Sequence, residues 1–339
     1  MVQTTILCGD ALEKLKELLD KSVQMCVTSP PYYALRNYGG GESEIGLEKT
    51  PREYIESLVD VFREVKRVLK DDGTLWLNIG DSYCGSKTGS EGNNKSTLKG
   101  GKSNQREAGK RPDKKPWNGI KQKDLIGIPW MLAFALREDG WYLRQDIIWS
   151  KRNCLPESVT DRCTRSHEYI FLLSKKPKYY YDYKAVQEPT VTYDNTIRDR
   201  DTTKLNNTPG RTRMAGLTTN QYEMRNKRDV WSIATIPYSG AHFATFPEEL
   251  IKPCILAGSR EGDTVLDPFN GAGTTGVVCV KLGRNYVGTE LNPEYVAMAE
   301  KRIEDTRVEL EYGIKVSGKK KQQEDGGTSL FDEGNFMTV

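Results

Sequence analysis

The stretch from residue 264 to residue 290 constrains the fold more than any other part of this 339-residue chain. It begins with four strand-like residues ending at Asp267, continues through a glycine-rich run, and leads into an apolar segment that ends near Gly283. This order predicts a strand, a tight glycine turn and a helix. A second strand is predicted at 285–289, with Glu290 at its end. Together these elements predict a β-α-β unit in a parallel α/β sheet.

The same alternation of strands and helices occurs in the rest of the chain. Leucines at 12, 15, 18 and 19 predict an amphipathic helix over 11–20. Another helix is predicted to begin at Thr50 as N-cap, with Pro51 in its first turn and Glu53 completing a capping box. Further predicted elements are strands at 6–10, 23–27, 74–79, 141–149 and 168–174, a turn at 71–73, and helices at 124–138, 248–257 and 293–311.

The glycine turn has features of a site for a nucleotide-like cofactor. Residues 271–276 match the GxGxxG spacing of dinucleotide-binding turns, although this match is not specific by itself. Glycine allows the backbone to approach a ligand closely, and Glu290, at the end of the second strand, is placed to bind ribose hydroxyls. The preceding Asp-Pro-Phe-Asn departs from most dinucleotide sites and suggests a cofactor without a pyrophosphate. The chain has no Gly-Lys-Ser/Thr at this turn, which excludes a P-loop.

A second turn of unusual composition follows the strand predicted at 23–27, with the sequence Thr-Ser-Pro-Pro-Tyr over residues 28–32. Two prolines end the strand and restrict the local backbone. Ser29 and the Pro30 carbonyl can accept hydrogen bonds from an exocyclic amino group, and Tyr32 offers a flat ring on which a base can stack. The same residues could also form a proline-rich corner covered by a packed tyrosine.

Two segments lack periodicity and are rich in basic residues. Residues 84–118 contain nine lysines and arginines against three acidic residues, and residues 198–228 contain eight against three. The first segment is either a solvated flexible insertion or a loop that meets phosphates and becomes ordered on binding. In the second, asparagines and glutamine are interleaved with arginines, and these are the side chains that read base edges. A long loop without this role could have the same composition.

Composition excludes several classes of protein. Hydrophobic residues make up 37% and charged residues 29% of the chain, as in soluble globular proteins. No apolar run approaches the roughly 20 residues of a membrane span, and no basic leader followed by an apolar core is present, so no secretion signal is expected. Seven cysteines without CxxC pairs suggest free thiols in a reducing cytoplasm. With two histidines, a Cys/His metal site is not expected.

Taken together, the proline turn and the glycine turn resemble the catalytic and S-adenosylmethionine motifs of amino-group DNA methyltransferases. Their order resembles that of the permuted β class, in which the catalytic motif precedes a target-recognition region and the cofactor turn comes last. The resemblance extends over residues 4–312 apart from the basic segments, and includes blocks at 124–130, 149–162, 167–169, 178–181 and 242–247. It implies an α/β fold with a Rossmann-like methyltransferase sheet, helices on both faces, and an irregular target-recognition region.

The resemblance also implies site residues, with S-adenosylmethionine as cofactor, double-stranded DNA as substrate and a flipped target base. The implied catalytic residues are Ser29, Pro30, Pro31 and Tyr32. The implied cofactor-binding residues are Asp10, Phe246, Asp267, Phe269, Gly271, Gly273, Thr274 and Glu290. The expected DNA-binding residues are Lys114, Lys115, Arg198, Arg200, Arg211, Arg213 and Arg225, and no metal ligand is expected. For Asp10 a helix N-cap remains an alternative role, and Asp267 could serve only to brace the turn. Because stacking needs only the ring, Tyr32→Phe is predicted to be tolerated.

The predicted organisation is one methyltransferase domain interrupted by a recognition region. Residues 1–184 form its catalytic part, with a basic insertion at 84–118, and residues 185–240 form the target-recognition region. Residues 241–312 form the cofactor-binding part, and residues 313–339 form a polar, disordered tail. A cognate restriction endonuclease is a candidate partner, and the expected location is the cytoplasm, for a protein that is prokaryotic or phage-encoded. Monomer and homodimer both remain open.

Several alternatives differ in the target atom or the reaction. Thr-Ser-Pro-Pro-Tyr is typical of cytosine-N4 enzymes, whereas adenine-N6 enzymes more often have Asp-Pro-Pro-Tyr. A cytosine-C5 enzyme needs a cysteine nucleophile, but Pro253-Cys254 lies in a predicted helix with no Glu-Asn-Val partner after it. Protein or RNA amine methyltransferases place the glycine turn before the catalytic motif. Two other classes remain, an NAD oxidoreductase and a non-enzymatic DNA-binding protein. Titration with S-adenosylmethionine and with a nicotinamide cofactor would distinguish them from a methyltransferase.

Overall fold

A computed structural model describes residues 2–34, 44–85, 119–154, 156–190, 224–235 and 246–313. Within these ranges the strands are β1 (Thr4–Cys8), β2 (Val23–Thr28), β3 (Leu69–Ile79), β4 (Tyr142–Lys151), β5 (His167–Ser174), β6 (Glu188–Pro189), β7 (Met224–Arg225), β8 (Val230–Ile233), β9 (Thr264–Asp267) and β10 (Asn285–Glu290). The helices are α1 (Ala11–Lys16), α2 (Pro51–Val68), α3 (Ile128–Glu138), α4 (Glu248–Gly258), α5 (Thr274–Lys281) and α6 (Pro293–Tyr312).

Eight strands form one sheet in the order β1-β10-β9-β2-β3-β5-β4-β8, and β6 pairs with β7 separately. Seven strands of this sheet run in one direction, while β5 is antiparallel to its neighbours β3 and β4. The sheet is therefore mixed rather than wholly parallel. A strand that returns without a crossover helix runs antiparallel, and no helix lies between β4 and β5 in the described residues of that connection.

Helices cover both faces of the sheet, as expected for the methyltransferase fold. On one face, α1, α2 and α3 supply Leu15, Phe62 and Leu132 to a buried cluster that we call the α2-side core. On the other face, α4, α5 and α6 supply residues such as Leu250 and Ile303 to the α5-side core. The central strand β2 is buried along its whole length because both faces are covered.

Helix α2 begins where the sequence predicts. The Thr50 hydroxyl accepts from the Glu53 amide at 3.2 Å, and the Glu53 carboxylate accepts from the Thr50 amide at 3.2 Å, so the capping box is confirmed. The residues predicted to form its apolar face are all buried, namely Tyr54, Leu58, Val61, Phe62, Val65, Val68 and Leu69. The local pattern therefore determined both the start and the buried face of this helix.

The predicted helix over 11–20 is too long, because α1 ends at Lys16 and Leu19 is 79% exposed. Arg67 of α2 donates to the Leu15 carbonyl at 2.8 Å and to the Leu18 carbonyl at 2.9 Å. These contacts satisfy carbonyls that a longer helix would have bonded internally. The end of α1 is thus set by a residue about fifty positions away in the chain.

Three further boundaries differ from the predictions. The strand predicted at 6–10 is β1 at Thr4–Cys8, because Asp10 leaves the strand to cap α1. Helix α3 begins at Ile128 rather than 124, because Gly127 adopts a φ of 86° and the segment before it runs beside residues 82–84. Residues 71–73 belong to β3 rather than to a turn. Most of the predicted basic insertion (86–118), the centre of the recognition region (191–223), residues 236–245 and the tail from 314 lie outside the described residues.

Candidate functional site

The two turns singled out in the sequence lie side by side at one edge of the sheet. Strands β1, β10, β9, β2 and β3 are parallel, so their carboxyl ends share this edge. Cys26 of β2 pairs with Leu266 of β9, which puts the proline turn next to the glycine turn. In an open α/β sheet, ligands bind at the carboxyl ends of the strands where the strand order reverses. The order reverses here, between β9 and β2.

A buried carboxylate joins the two turns. Asp267 is 1% exposed and accepts from the Thr28 hydroxyl at 2.6 Å, from the Thr275 hydroxyl at 2.6 Å and from the Phe269 amide at 3.1 Å. Burial raises the pKa of Asp267 to about 6, although these hydrogen bonds oppose the rise. The contacts support the bracing role for Asp267, and direct contact with the cofactor stays a prediction.

The glycine turn is shaped by packing inside the protein as well as by any ligand. Gly273 has a φ of 75°, and a Cβ atom there would lie 2.7 Å from the Cβ of Ala299 in α6. Thr274 is buried, and its hydroxyl accepts from the Arg302 guanidinium at 3.3 Å. Both residues therefore have structural partners in α6. The spacing of the glycines did not predict this packing.

Glu290 lies where a ribose-binding carboxylate is expected, at the carboxyl end of β10. Its Oε2 accepts from the Gly271 amide at 2.8 Å and its Oε1 from the Asn292 amide at 3.0 Å. Burial raises the pKa of Glu290, while hydrogen bonds from these amides lower it. A carboxylate accepts up to about four hydrogen bonds, so Glu290 retains capacity for ligand hydroxyls. An acceptor at this position fits the ribose hydroxyls of S-adenosylmethionine.

Asp10 follows β1, whose last residue, Cys8, is the register partner of Glu290 in β10. Its Oδ1 accepts from the Glu13 amide at 3.0 Å, which confirms the N-cap role. Of the two predicted phenylalanines, Phe246 is partly buried against the α5-side core and Phe269 against the α2-side core. Contact of all three with the cofactor stays a prediction.

The proline turn is held from two further directions. Tyr54 of α2 is fully buried and donates its hydroxyl hydrogen to the Pro31 carbonyl at 2.7 Å. Tyr32 donates to the Glu168 carboxylate at 2.8 Å, and its hydroxyl lies 3.4 Å from Asn78 Oδ1. Ser29, between these anchors, remains partly exposed. The anchors Tyr54, Asn78 and Glu168 were missed by the motif analysis, and only the resemblance of the 167–169 block pointed toward one of them.

Among the predicted DNA-binding residues, Arg225 lies in the described part of the chain. Its guanidinium contacts Glu188 at 3.1 Å and connects the short strands β7 and β6. The remaining six predicted residues, Lys114, Lys115, Arg198, Arg200, Arg211 and Arg213, lie outside the described residues. In the connection between β4 and β5, the Arg162 guanidinium lies 4.0 Å from the Tyr83 ring centroid, and Arg165 Nη1 is buried with no hydrogen-bond partner among the described residues.

Two structural features are absent from the residues that the structure describes. No group of three or more His, Cys, Asp or Glu side chains there is arranged to hold a metal ion. None of the helices in the same ranges is long and apolar enough to cross a bilayer.

Comparisons with known proteins identify the family of this chain. Residues 23–301 match the family model described as DNA methylase, of the N6/N4 methyltransferase type. The chain is 50% identical to the type II methyltransferase M.Cfr9I of Citrobacter freundii, over 90% of this chain and 89% of that protein. It is also 50% identical to the type II methyltransferase M.SmaI of Serratia marcescens, over 88% of this chain and 90% of that protein.

Two solved structures share the fold. The PvuII cytosine-N4-specific DNA methyltransferase matches with a TM-score of 0.58 and 18% identity, over 92% of this chain and 94% of that chain. A putative DNA modification methylase of Thermus thermophilus, solved in complex with S-adenosyl-L-methionine, matches with a TM-score of 0.54 and 23% identity, over 90% of this chain and 96% of that chain. The chain therefore belongs to the N6/N4 DNA methylase family, whose members are S-adenosylmethionine-dependent enzymes that methylate DNA.

Proposed function

We propose that this enzyme transfers a methyl group from S-adenosylmethionine to the exocyclic N4 atom of a flipped cytosine in duplex DNA. The observation that carries the proposal is the contact between the two turns. Thr28, which directly precedes Ser29, donates to Asp267, which directly precedes the glycine turn. This contact holds the acceptors for an amino group beside the turn that is expected to bind the cofactor.

The chemistry requires positioning rather than a covalent enzyme intermediate. An exocyclic base amine is a poor nucleophile because its lone pair is delocalised into the ring. Ser29 Oγ and the Pro30 carbonyl would accept from the two N–H groups, which favours a localised lone pair. Bound S-adenosylmethionine supplies an electrophilic methyl group on a positively charged sulfur. Ser29 is too weak a base to remove a proton before the new bond forms, so its role is orientation.

The target base must leave the duplex to reach this turn, because its amine is paired inside the helix. Tyr32 is the proposed stacking surface, since it closely follows the amine acceptors Ser29 and Pro30 in the sequence. The cofactor-binding and DNA-binding residues expected from the sequence are proposed in those same roles, with Glu290 binding the ribose. Adenine N6 is the alternative target, because the same two acceptors can hold its amine.

A reaction at cytosine C5 is disfavoured by the position of the candidate nucleophile. Cys254 lies within α4, is fully buried, and belongs to the α5-side core. Burial raises the pKa of the Cys254 thiol, which opposes formation of the thiolate that attacks the base. The direct transfer to an amine is therefore preferred.

The recognition region is proposed to meet DNA from the side of the sheet that ends in β8. Strand β8 pairs with β4, and the Asn153 side chain bonds the Thr235 carbonyl and amide, each at 2.7 Å. These contacts tie one end of the proposed region 185–240 to the residues that follow β4. The basic residues of 86–118 and 191–223 are proposed to bind phosphates and base edges, respectively.

The names of the similar type II methyltransferases make a restriction endonuclease a candidate partner of this enzyme. A reducing cytoplasm of a prokaryotic cell is the proposed location, since all seven cysteines are free. Digestion by a candidate restriction endonuclease of DNA from cells with and without this methylase would test the partnership. Protection of the host DNA by the methylase alone is the expected result.

Mass spectrometry of nucleosides from DNA methylated by the purified enzyme tests the target atom. N4-methylcytosine is the expected product. N6-methyladenine would instead support adenine as the target base, and 5-methylcytosine would refute direct transfer to an amine. Ser29→Ala should lower turnover and leave S-adenosylmethionine affinity unchanged. A large loss of cofactor affinity in that variant would contradict the orienting role of Ser29.

A further inference from the structure

The hydroxyl of Tyr32 is engaged by a cluster of polar groups that stacking alone does not require. It donates to Glu168 Oε2 at 2.8 Å and lies 3.4 Å from Asn78 Oδ1. Asn78 Nδ2 in turn lies 3.4 Å from Glu168 Oε2 and donates to the Tyr169 carbonyl at 3.1 Å. The orientation of the Tyr32 ring is thus set at its far end by residues of β3 and β5.

Glu168 is itself fixed in place. Its Oε1 pairs with Lys151 of β4, and the exposed fractions of the two side chains are 13% and 22%. Lys151 Nζ also lies 4.6 Å from the centroid of the Trp149 ring. The carboxylate has few alternative positions, because the ion pair is little exposed and the lysine has a second restraint. Glu168 is therefore a fixed acceptor rather than a mobile surface group.

Gly80, directly after β3, provides the space in which the ring lies. A Cβ atom at this position would be 2.7 Å from Cε2 of Tyr32 and 3.3 Å from Glu168 Oε1. Any other residue would force the ring or the carboxylate to move. The antiparallel pairing of β5 with β3 brings Gly80 and Glu168 together, since Ile79 and Tyr169 are partners.

From this arrangement we infer that Glu168 is a positioning residue for methyl transfer, which holds the Tyr32 ring through its hydroxyl at the angle needed to stack the target base. The inference rests on the proposed function, because it assigns Tyr32 the stacking role. It also changes one expectation from the sequence: loss of the hydroxyl in Tyr32→Phe should slow the reaction, although the ring remains. Stacking pairs depend on ring geometry, and small errors of position in an active site are costly.

The experiment is a double-mutant cycle measured as the single-turnover rate of methyl transfer to duplex DNA. Tyr32→Phe and Glu168→Ala should each lower the rate by about tenfold, the effect of losing one hydrogen bond. The double variant should be no slower than the slower single variant if the hydrogen bond between Tyr32 and Glu168, which both changes remove, carries the effect. Cofactor affinity should equal that of the wild type in all three, since none touches the glycine turn. Tyr33→Phe is the control, because that hydroxyl contacts only the Lys49 carbonyl, at 3.3 Å, among its described partners.

Two further variants separate positioning from loss of folding. Glu168→Gln keeps a hydrogen-bonding group beside the Tyr32 hydroxyl and should recover most of the rate. Gly80→Ala leaves both partners intact but crowds the ring, so it should lower the rate. The melting temperature of each variant, measured in parallel, shows whether the protein is still folded.

Wild-type rate in Tyr32→Phe would overturn the inference, and so would multiplicative losses in the double variant. The wild-type product is identified in the same assay, which tests the proposed function separately. If that product were N6-methyladenine, the target base would be corrected, while the ratios between variants would still decide the role of Glu168.

Discussion

Thr28→Val should destabilise the protein by an amount that depends on pH. The substitution keeps the shape of the side chain and removes the hydroxyl that donates to Asp267 at 2.6 Å, in a place where the two residues are 0% and 1% exposed. A hydrogen bond to a charged group contributes about 1.5–3 kcal/mol, and one between neutral groups about 0.5–1.5 kcal/mol. The loss should therefore be larger where Asp267 is ionised than where it is protonated.

The pKa of Asp267 sets the pH window for this test. The carboxyl has a pKa of about 6 in the folded protein against 3.8 as its ordinary value. Between these values the folded state holds a proton that the unfolded state has released, so the unfolding free energy falls as pH rises through the window. The contribution of Asp267 to this fall is on the order of 3 kcal/mol. At pH 8 the carboxylate is charged, and at pH 5 it is mostly protonated.

Urea unfolding of wild type and Thr28→Val at pH 5 and pH 8 measures the effect. The loss of unfolding free energy should be larger at pH 8 by about 1 kcal/mol. Thr306→Val is the matched control, since the Thr306 hydroxyl is also buried but donates to the Arg302 carbonyl at 2.8 Å. The loss in the control should not change with pH. An equal loss at both pH values in Thr28→Val would refute the reasoning that Asp267 is a buried, titrating acceptor.

Three further predictions concern the two turns. Glu290→Ala should weaken S-adenosylmethionine binding by about 1.5–3 kcal/mol through loss of a charged acceptor, measured by calorimetry; unchanged affinity would place the ribose elsewhere. Gly273→Ala should destabilise the fold more than Gly262→Ala in thermal unfolding, because both have positive φ but a Cβ at Gly262 meets nothing within 4 Å; equal losses would exclude crowding by α6. Tyr54→Phe should lower the rate of methyl transfer by releasing the Pro31 carbonyl, about tenfold for one hydrogen bond, with cofactor affinity unchanged; a wild-type rate would show that this anchor is dispensable.

The sequence by itself determined the elements whose causes are local. The capping box of α2, its buried face, and the strand-turn-helix-strand order of 264–290 all follow from residues within a few positions of one another. The proline turn and the glycine turn were located in the same way, and their resemblance to known motifs pointed to the family that the comparisons then showed. Hydrogen bonds within a turn and the periodicity of one face are properties of a short segment, so they can be inferred without knowing the fold.

Tertiary structure decided which of these segments meet. Thr28 and Asp267 are 239 positions apart and touch because β2 and β9 are neighbours in the sheet. Glu168 reaches Tyr32 because β5 runs antiparallel to β3, contrary to the parallel sheet expected from the alternation of elements. Arg67 similarly ends α1 from a different helix. Such contacts depend on strand order and helix placement, which are set by burial over the whole chain and leave no signal in the residues beside each partner.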